Sequence, residues 1–163
     1  MRSILVSVAL TIAVGAAWAQ QPAPPAKTYS SAADVTALIA KAKADHKDGQ
    51  PIVIERILTL APYGANLEYR TAVGPAAVHE KEAEMFYVID GSATLTTGGK
   101  LAEEKRTNAE NLTGTGIEGG KSQAVAKGDF VIVPENTPHW FSKINGTIVL
   151  MSIHMPRSGG STP

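Results

Sequence analysis

The sequence predicts an all-β domain: an antiparallel barrel or double-sheet jelly roll with one helix in front of it. Three observations carry this. Short β-branched and apolar runs recur from residue 51 to residue 154, broken by Gly, Pro and Asn. One stretch ahead of them has helical periodicity. Nowhere in the 163 residues does strand alternate with helix as a doubly wound sheet requires. With 44% hydrophobic and 18% charged residues, the chain has enough apolar surface for one domain with a real core.

Taken in order, residues 1–19 read as a signal peptide. Arg2 gives a positive start, residues 4–17 are apolar or small, and Ala17-Trp18-Ala19 is a small-x-small cleavage signal. The run is too short to span a bilayer stably. The expectation is cleavage after Ala19 and a periplasmic or secreted product with no membrane attachment after cleavage. Residues 20–29 form a proline-rich tether. Residues 30–49 hold the helix: Ser31 and Asp34 make a capping pair, and Val35, Leu38, Ile39 and Ala42 follow at helical spacing up to Asp48-Gly49. His46, near its end, reads as a solvated residue suited to the negative pole of the helix.

Residues 50–156 are the barrel and 157–163 a flexible tail. Residues 52–60 form a strand, Pro62-Tyr63-Gly64 a turn, and Leu67, Tyr69 and Thr71 alternate with Glu68 and Arg70. The apolar strand from Met85 to Ile89 stops at Asp90-Gly91, a hairpin signal, with residues 92–97 as its return strand. Residues 98–121 exceed what a hairpin needs and read as an insertion loop or as a lid over a site. Strands resume at 122–126, 130–133, 140–144 and 147–154.

The chemistry is bounded by what is missing. With 15 basic and 15 acidic residues the formal charge is zero, so there is no electrostatic footprint for nucleic acid or an anionic membrane. No cysteine is present, so any metal must be held by His, Asp or Glu. Residues 74–91 concentrate His79, Glu80, Glu82 and Glu84 and lead into a buried strand. Residues 128–139 again lead a β-run through a turn to one histidine, His139. Two such deliveries in one small barrel point to one site.

These two segments resemble the paired motifs of the cupin superfamily. Glu84, six residues and Gly91 fit the end of the first motif, and Gly128, Pro134 and His139 fit the second, with Asn136 at its turn glycine and Lys143 at its terminal Asn. The first motif carries two histidines, and here one is absent: either Ala77 stands at the first position or Lys81 at the second. The resemblance implies a double-stranded β-helix whose cavity holds a divalent transition metal, iron, manganese, nickel, cobalt or zinc, through His79, Glu84 and His139. Two imidazoles and one carboxylate make a facial set that leaves positions open for water, dioxygen or a chelating substrate.

Three functions are compatible with that resemblance. One is a metal-dependent dioxygenase, decarboxylase or isomerase acting on a small oxygen-rich molecule. Another is a binding module for such a molecule. The third is a metal-free cupin serving as a binding or dimerisation unit, with a homodimer formed through sheet packing. Lys81, if it held the missing position, would favour an anionic ligand over a metal. Glu80 and Glu82 are candidates for a fourth ligand, an orienting group or a general base, or are solvated turn carboxylates. Arg70, which could clamp a carboxylate, and Tyr87, Trp140 and His154 are candidate cavity residues, set against plain core or polar roles. Gly120-Lys121-Ser122 resembles the end of a phosphate loop by chance only, and Asn111-Leu112-Thr113 and Asn145-Gly146-Thr147 are glycosylation acceptors by pattern.

Overall fold

The structure, a computed structural model, describes residues 25–157. The expected signal peptide and its cleavage point lie outside the described residues, as do residues 20–24 of the tether and 158–163 of the tail. The elements in order are α1 (Ala32–Asp45), β1 (Ile52–Leu60), β2 (Tyr63–Arg70), β3 (Ala76–His79), β4 (Glu82–Thr97), β5 (Lys100–Ala102), β6 (Lys105–Arg106), β7 (Asn111–Gly114), β8 (Gly116–Glu118), β9 (Lys121–Ala126), β10 (Phe130–Val133) and β11 (His139–Pro156). Every ladder among them is antiparallel, as the predicted fold class requires.

The helix begins where its capping pair places it. Ser31 Oγ accepts from the Asp34 amide at 3.1 Å and the Asp34 carboxylate accepts from the Ser31 amide at 2.8 Å, satisfying two amides that the first turn would leave open. The helix stops at His46, whose backbone is already extended. His46 is not simply solvated: it is half-buried, and its Nε2 lies 2.8 Å from both Thr71 Oγ1 and the Gln50 carbonyl. Val35, Leu38, Ile39 and Ala42 pack on the outer face of β1 and β2, against Val53, Ile57, Ala65 and Leu67. Ahead of the helix, Lys27 bridges Thr59 on the edge of β1, so the described end of the tether is held.

The barrel is organised by β4 and β11, which pair along most of their lengths. Their inner faces supply Phe86, Val88, Leu95, Phe141, Ile148 and Leu150 to one core cluster, joined by Val125 and Val133 from β9 and β10. The Asp90-Gly91 hairpin expected from the sequence is absent. β4 runs straight through it, pairing with β10 at Glu84 to Tyr87 and with β9 at Ser92 to Thr97, while β11 follows its other edge. Gly91 has φ +82°, and a Cβ there would collide with the Thr147 carbonyl. A left-handed glycine serves a bulge as well as a two-residue turn, and here it bends one strand so that it crosses from one wall of the barrel to the other.

Residues 98–121, expected as an insertion loop or a lid, hold four short strands. β7 extends the sheet beyond β3, and β5 pairs with β8. Leu101, Leu112, Ile117 and Trp140 cluster with Ala76 and Val78 beneath this segment. At the other end, the first residue of the expected flexible tail is tied down: the Arg157 amide donates to the Lys81 carbonyl at 3.0 Å.

Candidate metal centre

Strand alternation builds the site. On β4, Glu82, Glu84, Phe86 and Val88 share the inner face while Met85, Tyr87 and Ile89 face outward. His154 stands directly opposite Glu84 in the β4–β11 ladder, and residues paired across antiparallel strands project to the same side. β11 also begins with His139, and β3 ends with His79. The curl of the barrel brings all four together. Glu84 Oε2 lies 3.3 Å from His79 Nε2 and 3.1 Å from His139 Nε2, and Glu84 Oε1 lies 3.2 Å from His154 Nε2. Glu84 and His139 are buried at 4% and 6% exposure, whereas His79 and His154 are half-buried. His79, Glu84 and His154 offer donor atoms all within 4.8 Å of one another, and His139 joins them through Glu84.

The far nitrogen of each imidazole has an acceptor. His79 Nδ1 lies 2.6 Å from Asn111 Oδ1, His139 Nδ1 lies 3.2 Å from the Thr137 carbonyl, and His154 Nδ1 lies 3.1 Å from Glu82 Oε2. The Asn111 amide is itself oriented, because its Nδ2 donates to Asn108 Oδ1 at 3.0 Å and so turns its oxygen toward the histidine. A carbonyl and a carboxylate can only accept, so each Nδ1 carries hydrogen. Each neutral imidazole then aims its Nε2 lone pair at the Glu84 carboxylate, which is also an acceptor. Lone pairs facing at 3.1 to 3.3 Å need a positive charge between or on them. In the protein alone, the raised proton affinity of His79 and His154 supplies it at their contacts. Burial works against the charge of Glu84, yet contacts from His139, His154 and His79 outweigh it and hold the carboxyl far below its ordinary range. Burial likewise opposes protonation of His79, but Glu84 and Asn111 outweigh it and raise its pKa. His154 is raised chiefly by Glu84, against burial.

Not every candidate from the sequence reaches this centre. Glu82 does, as the partner of His154 Nδ1. Glu80 turns away to a bidentate pair with Arg106 at 2.7 and 3.0 Å, and Lys81 is exposed beside Glu110. Arg70 bonds Glu68 and lies 4.8 Å over the Phe141 ring, so its charge is spent within the barrel wall rather than open to a ligand. Tyr87 faces outward, stacked on Phe130 at 4.5 Å and lining the groove beside the helix. Trp140, one residue past His139, projects to the opposite face and donates from Nε1 to the Gly74 carbonyl at 2.8 Å. Beside His139, Phe86 at 6.1 Å begins an aromatic floor completed by Phe141, in edge contact with it at 5.3 Å.

No protein-family model matches the sequence, and no curated protein does. Solved structures do resemble it. KdgF from a Halomonas species is 16% identical with a TM-score of 0.50, covering 69% of this chain and 87% of its own. TT1209 from Thermus thermophilus is 13% identical with a TM-score of 0.50, covering 71% of this chain and 93% of its own. The cupin domain of Cnp3 from Schizosaccharomyces pombe is 15% identical with a TM-score of 0.49, covering 71% of this chain and 72% of its own. The chain has the cupin fold.

Within that cupin barrel the histidine absent from the first motif has a spatial counterpart. Ala77 pairs with His139 in the ladder and offers no donor, while His154 brings a third imidazole from the last strand. Two residues of the site go beyond what the sequence assigns them. His154 is a cavity candidate there without a ligand role, and the structure places its side chain among the donor atoms that could hold a metal. Asn111 is only a glycosylation acceptor by pattern, whereas its side chain is turned inward onto His79. The only signal for either lies in pairing: β7 places Asn111 opposite His79, and β11 places His154 opposite Glu84.

Three of these residues, His79, Glu84 and His154, have donor atoms close enough together to hold a divalent metal. Donors bound at about 2.1 Å stand about 3.0 Å apart at a right angle and about 3.4 Å apart at the tetrahedral angle. The separations from Glu84, 3.1 to 3.3 Å, fall between these limits. Hydrogen-bonded Nδ1 groups that leave Nε2 free are the usual second layer of histidine metal sites.

Proposed function

We propose that this chain is an exported cupin-fold protein that binds a divalent transition metal through His79, Glu84 and His139, with His154 as a fourth donor, and acts on or binds a small oxygen-rich molecule. The observation that carries the reading is the set of three imidazoles with occupied Nδ1 atoms and Nε2 atoms gathered on one buried carboxylate. Export rests on the leader pattern of residues 1–19.

The chain's own groups have separable tasks. Glu84 supplies negative charge where three imidazoles converge, which offsets the cost of burying a cation. Asn111, the Thr137 carbonyl and Glu82 fix the three rings, so the donors need little reorganisation on binding. Phe86 and Phe141 keep water from the inner side of the centre. The half-buried His79 and His154 mark the side from which a small molecule approaches. A divalent ion held there supplies Lewis acidity toward chelating oxygens. On the protein's side, Glu82 holds the Nδ1 hydrogen of His154 and so keeps its Nε2 turned to the centre.

Elemental analysis of protein purified without a histidine tag tests this reading. The expected result is about one transition metal per chain, lost in Glu84→Gln and His139→Ala. Substoichiometric metal that does not respond to either substitution would sink the metal assignment. Full occupancy with no turnover of carbonyl, phenol or oxalate substrates would assign binding without catalysis.

A further inference from the structure

Beside the centre lies a cleft of about 440 Å³ whose lining includes Arg56, Tyr63, Gly64, Asn66, Glu82 and His154. His154 is the wall shared with the centre: its Nε2 faces Glu84 and its Nδ1 faces Glu82. The ladder fixes what stands around it. Gly64 is directly opposite His154 on β2, and Asn66 is opposite both Ser152 on β11 and Arg56 on β1. These residues therefore project to one face, and the Arg56 guanidinium reaches back across Gly64. A Cβ at Gly64 would meet Arg56 Nη1, so the guanidinium lies over Gly64 in the wall of the cleft that His154 also lines.

Arg56 differs from the other arginines that the structure describes. Arg70 is paired with Glu68, and Arg106 with Glu80. Arg157 lies by Glu135. Among the described residues no carboxylate stands within ion-pair distance of Arg56, although Glu82 lines the same cleft. A cation without a counter-ion among the described residues and an amide thus flank a cleft that ends on a histidine of the centre.

We infer that this cleft is the recognition site for a small hydroxylated oxyanion, with Arg56 binding its carboxylate or phosphate and Asn66 and Glu82 binding its hydroxyls. The inference rests on the proposed function for what happens beyond His154, but the cleft's own affinity does not require the metal. A guanidinium fork matches a carboxylate or phosphate in two parallel hydrogen bonds, and a carboxylate such as Glu82 rejects a second anion at its end of the cleft. The occupant is therefore anionic at one end and neutral, rich in hydroxyls, at the other.

Isothermal titration with L-malate, L-lactate, glycerol 3-phosphate and uncharged glycerol tests it, on protein first stripped by chelator and then loaded with manganese. Saturable binding of at least one anion to the stripped protein is expected, with glycerol silent. The hydroxy acids and the phosphate ester separate the two oxyanion sources. Arg56→Gln should weaken that binding roughly 10- to 100-fold, the worth of a charge-assisted pair, while leaving metal content unchanged. The exposed Lys127→Gln should leave it intact. Gly64→Ala, which displaces the guanidinium without removing it, should weaken it as well. Equal affinity in Arg56→Gln and wild type, or no anion binding in either metal state, overturns the inference. Loss of metal content in Glu84→Gln with anion binding retained would uphold the cleft, and failure to load metal in the wild type would overturn the metal reading alone.

Discussion

His154→Ala is the substitution that most directly separates a four-donor centre from a three-donor one. His154 contacts Glu84 Oε1 at 3.2 Å and is held by Glu82 on its other nitrogen at 3.1 Å. A four-ligand zinc site is worth about 10–16 kcal/mol, so one donor of four contributes about 2.5–4 kcal/mol, or about 10²- to 10³-fold in affinity. His154→Ala should therefore raise the zinc dissociation constant by roughly that factor in a competition titration against a chromogenic chelator. Glu82→Gln keeps the donor but replaces the charged acceptor at Nδ1, and should cost only about 10- to 100-fold, the usual worth of an orienting partner. Circular dichroism checks that both variants keep the barrel. A His154→Ala protein that binds zinc as tightly as wild type, while His139→Ala does not, would refute the four-donor argument and leave His79, Glu84 and His139 as the complete set.

Other consequences are open to measurement. Asn111→Ala leaves His79 free to rotate or change tautomer, and should weaken metal binding by about 10- to 100-fold in the same titration with little change in unfolding midpoint; an unchanged affinity would show that the Asn111 contact is incidental. Phe86→Ala removes a 1%-exposed ring from the core and should cost about 3–5 kcal/mol in urea unfolding; a loss below about 1 kcal/mol would mean the floor repacks. Gly91→Ala must adopt φ +82° and meets the Thr147 carbonyl, so at least about 1–2 kcal/mol should be lost from the backbone term alone. The pH dependence has opposite signs in the two metal states. His79 and His154 titrate above 6.5 in the folded protein, so in metal-free protein their stabilising contribution is full below 6.5 and is lost as pH rises through the folded-state values. Metal binding needs neutral imidazoles, so the gap in Tm between manganese-loaded and chelator-treated protein should widen from about pH 6 to about pH 8; a narrowing gap would contradict the assignment of these rings as donors.

Much of the barrel and part of the centre are legible from local signals. The capping pair at Ser31 and Asp34 locates the helix start because both partners lie within one turn of chain. Glu84, His79 and His139 are readable because motif spacing on a strand translates directly into which side chains share a face. What stays hidden depends on partners distant in sequence. Asp90-Gly91 announces a left-handed residue, but whether the chain reverses there or only bends depends on β9, β10 and β11 lying along both edges. His154 carries no motif of its own, and its role follows from pairing with Glu84, a register that residues 139–154 reveal only once β11 is known to be one bulged strand. Trp140 is a cavity candidate only by proximity to His139, and adjacent strand residues point to opposite faces.

The two ends of β11 meet at one point. His139 opens this strand and His154 stands near its close, yet both imidazoles rest on the same carboxylate. An ion gripping both would clasp residues 139–154 into a ring within a chain that has no cysteine to cross-link. Closing a loop of this size by a covalent bridge withdraws about 3 kcal/mol of freedom from the unfolded chain. The centre is thus placed to do for this barrel what a disulfide does elsewhere, as a staple that a chelator can open.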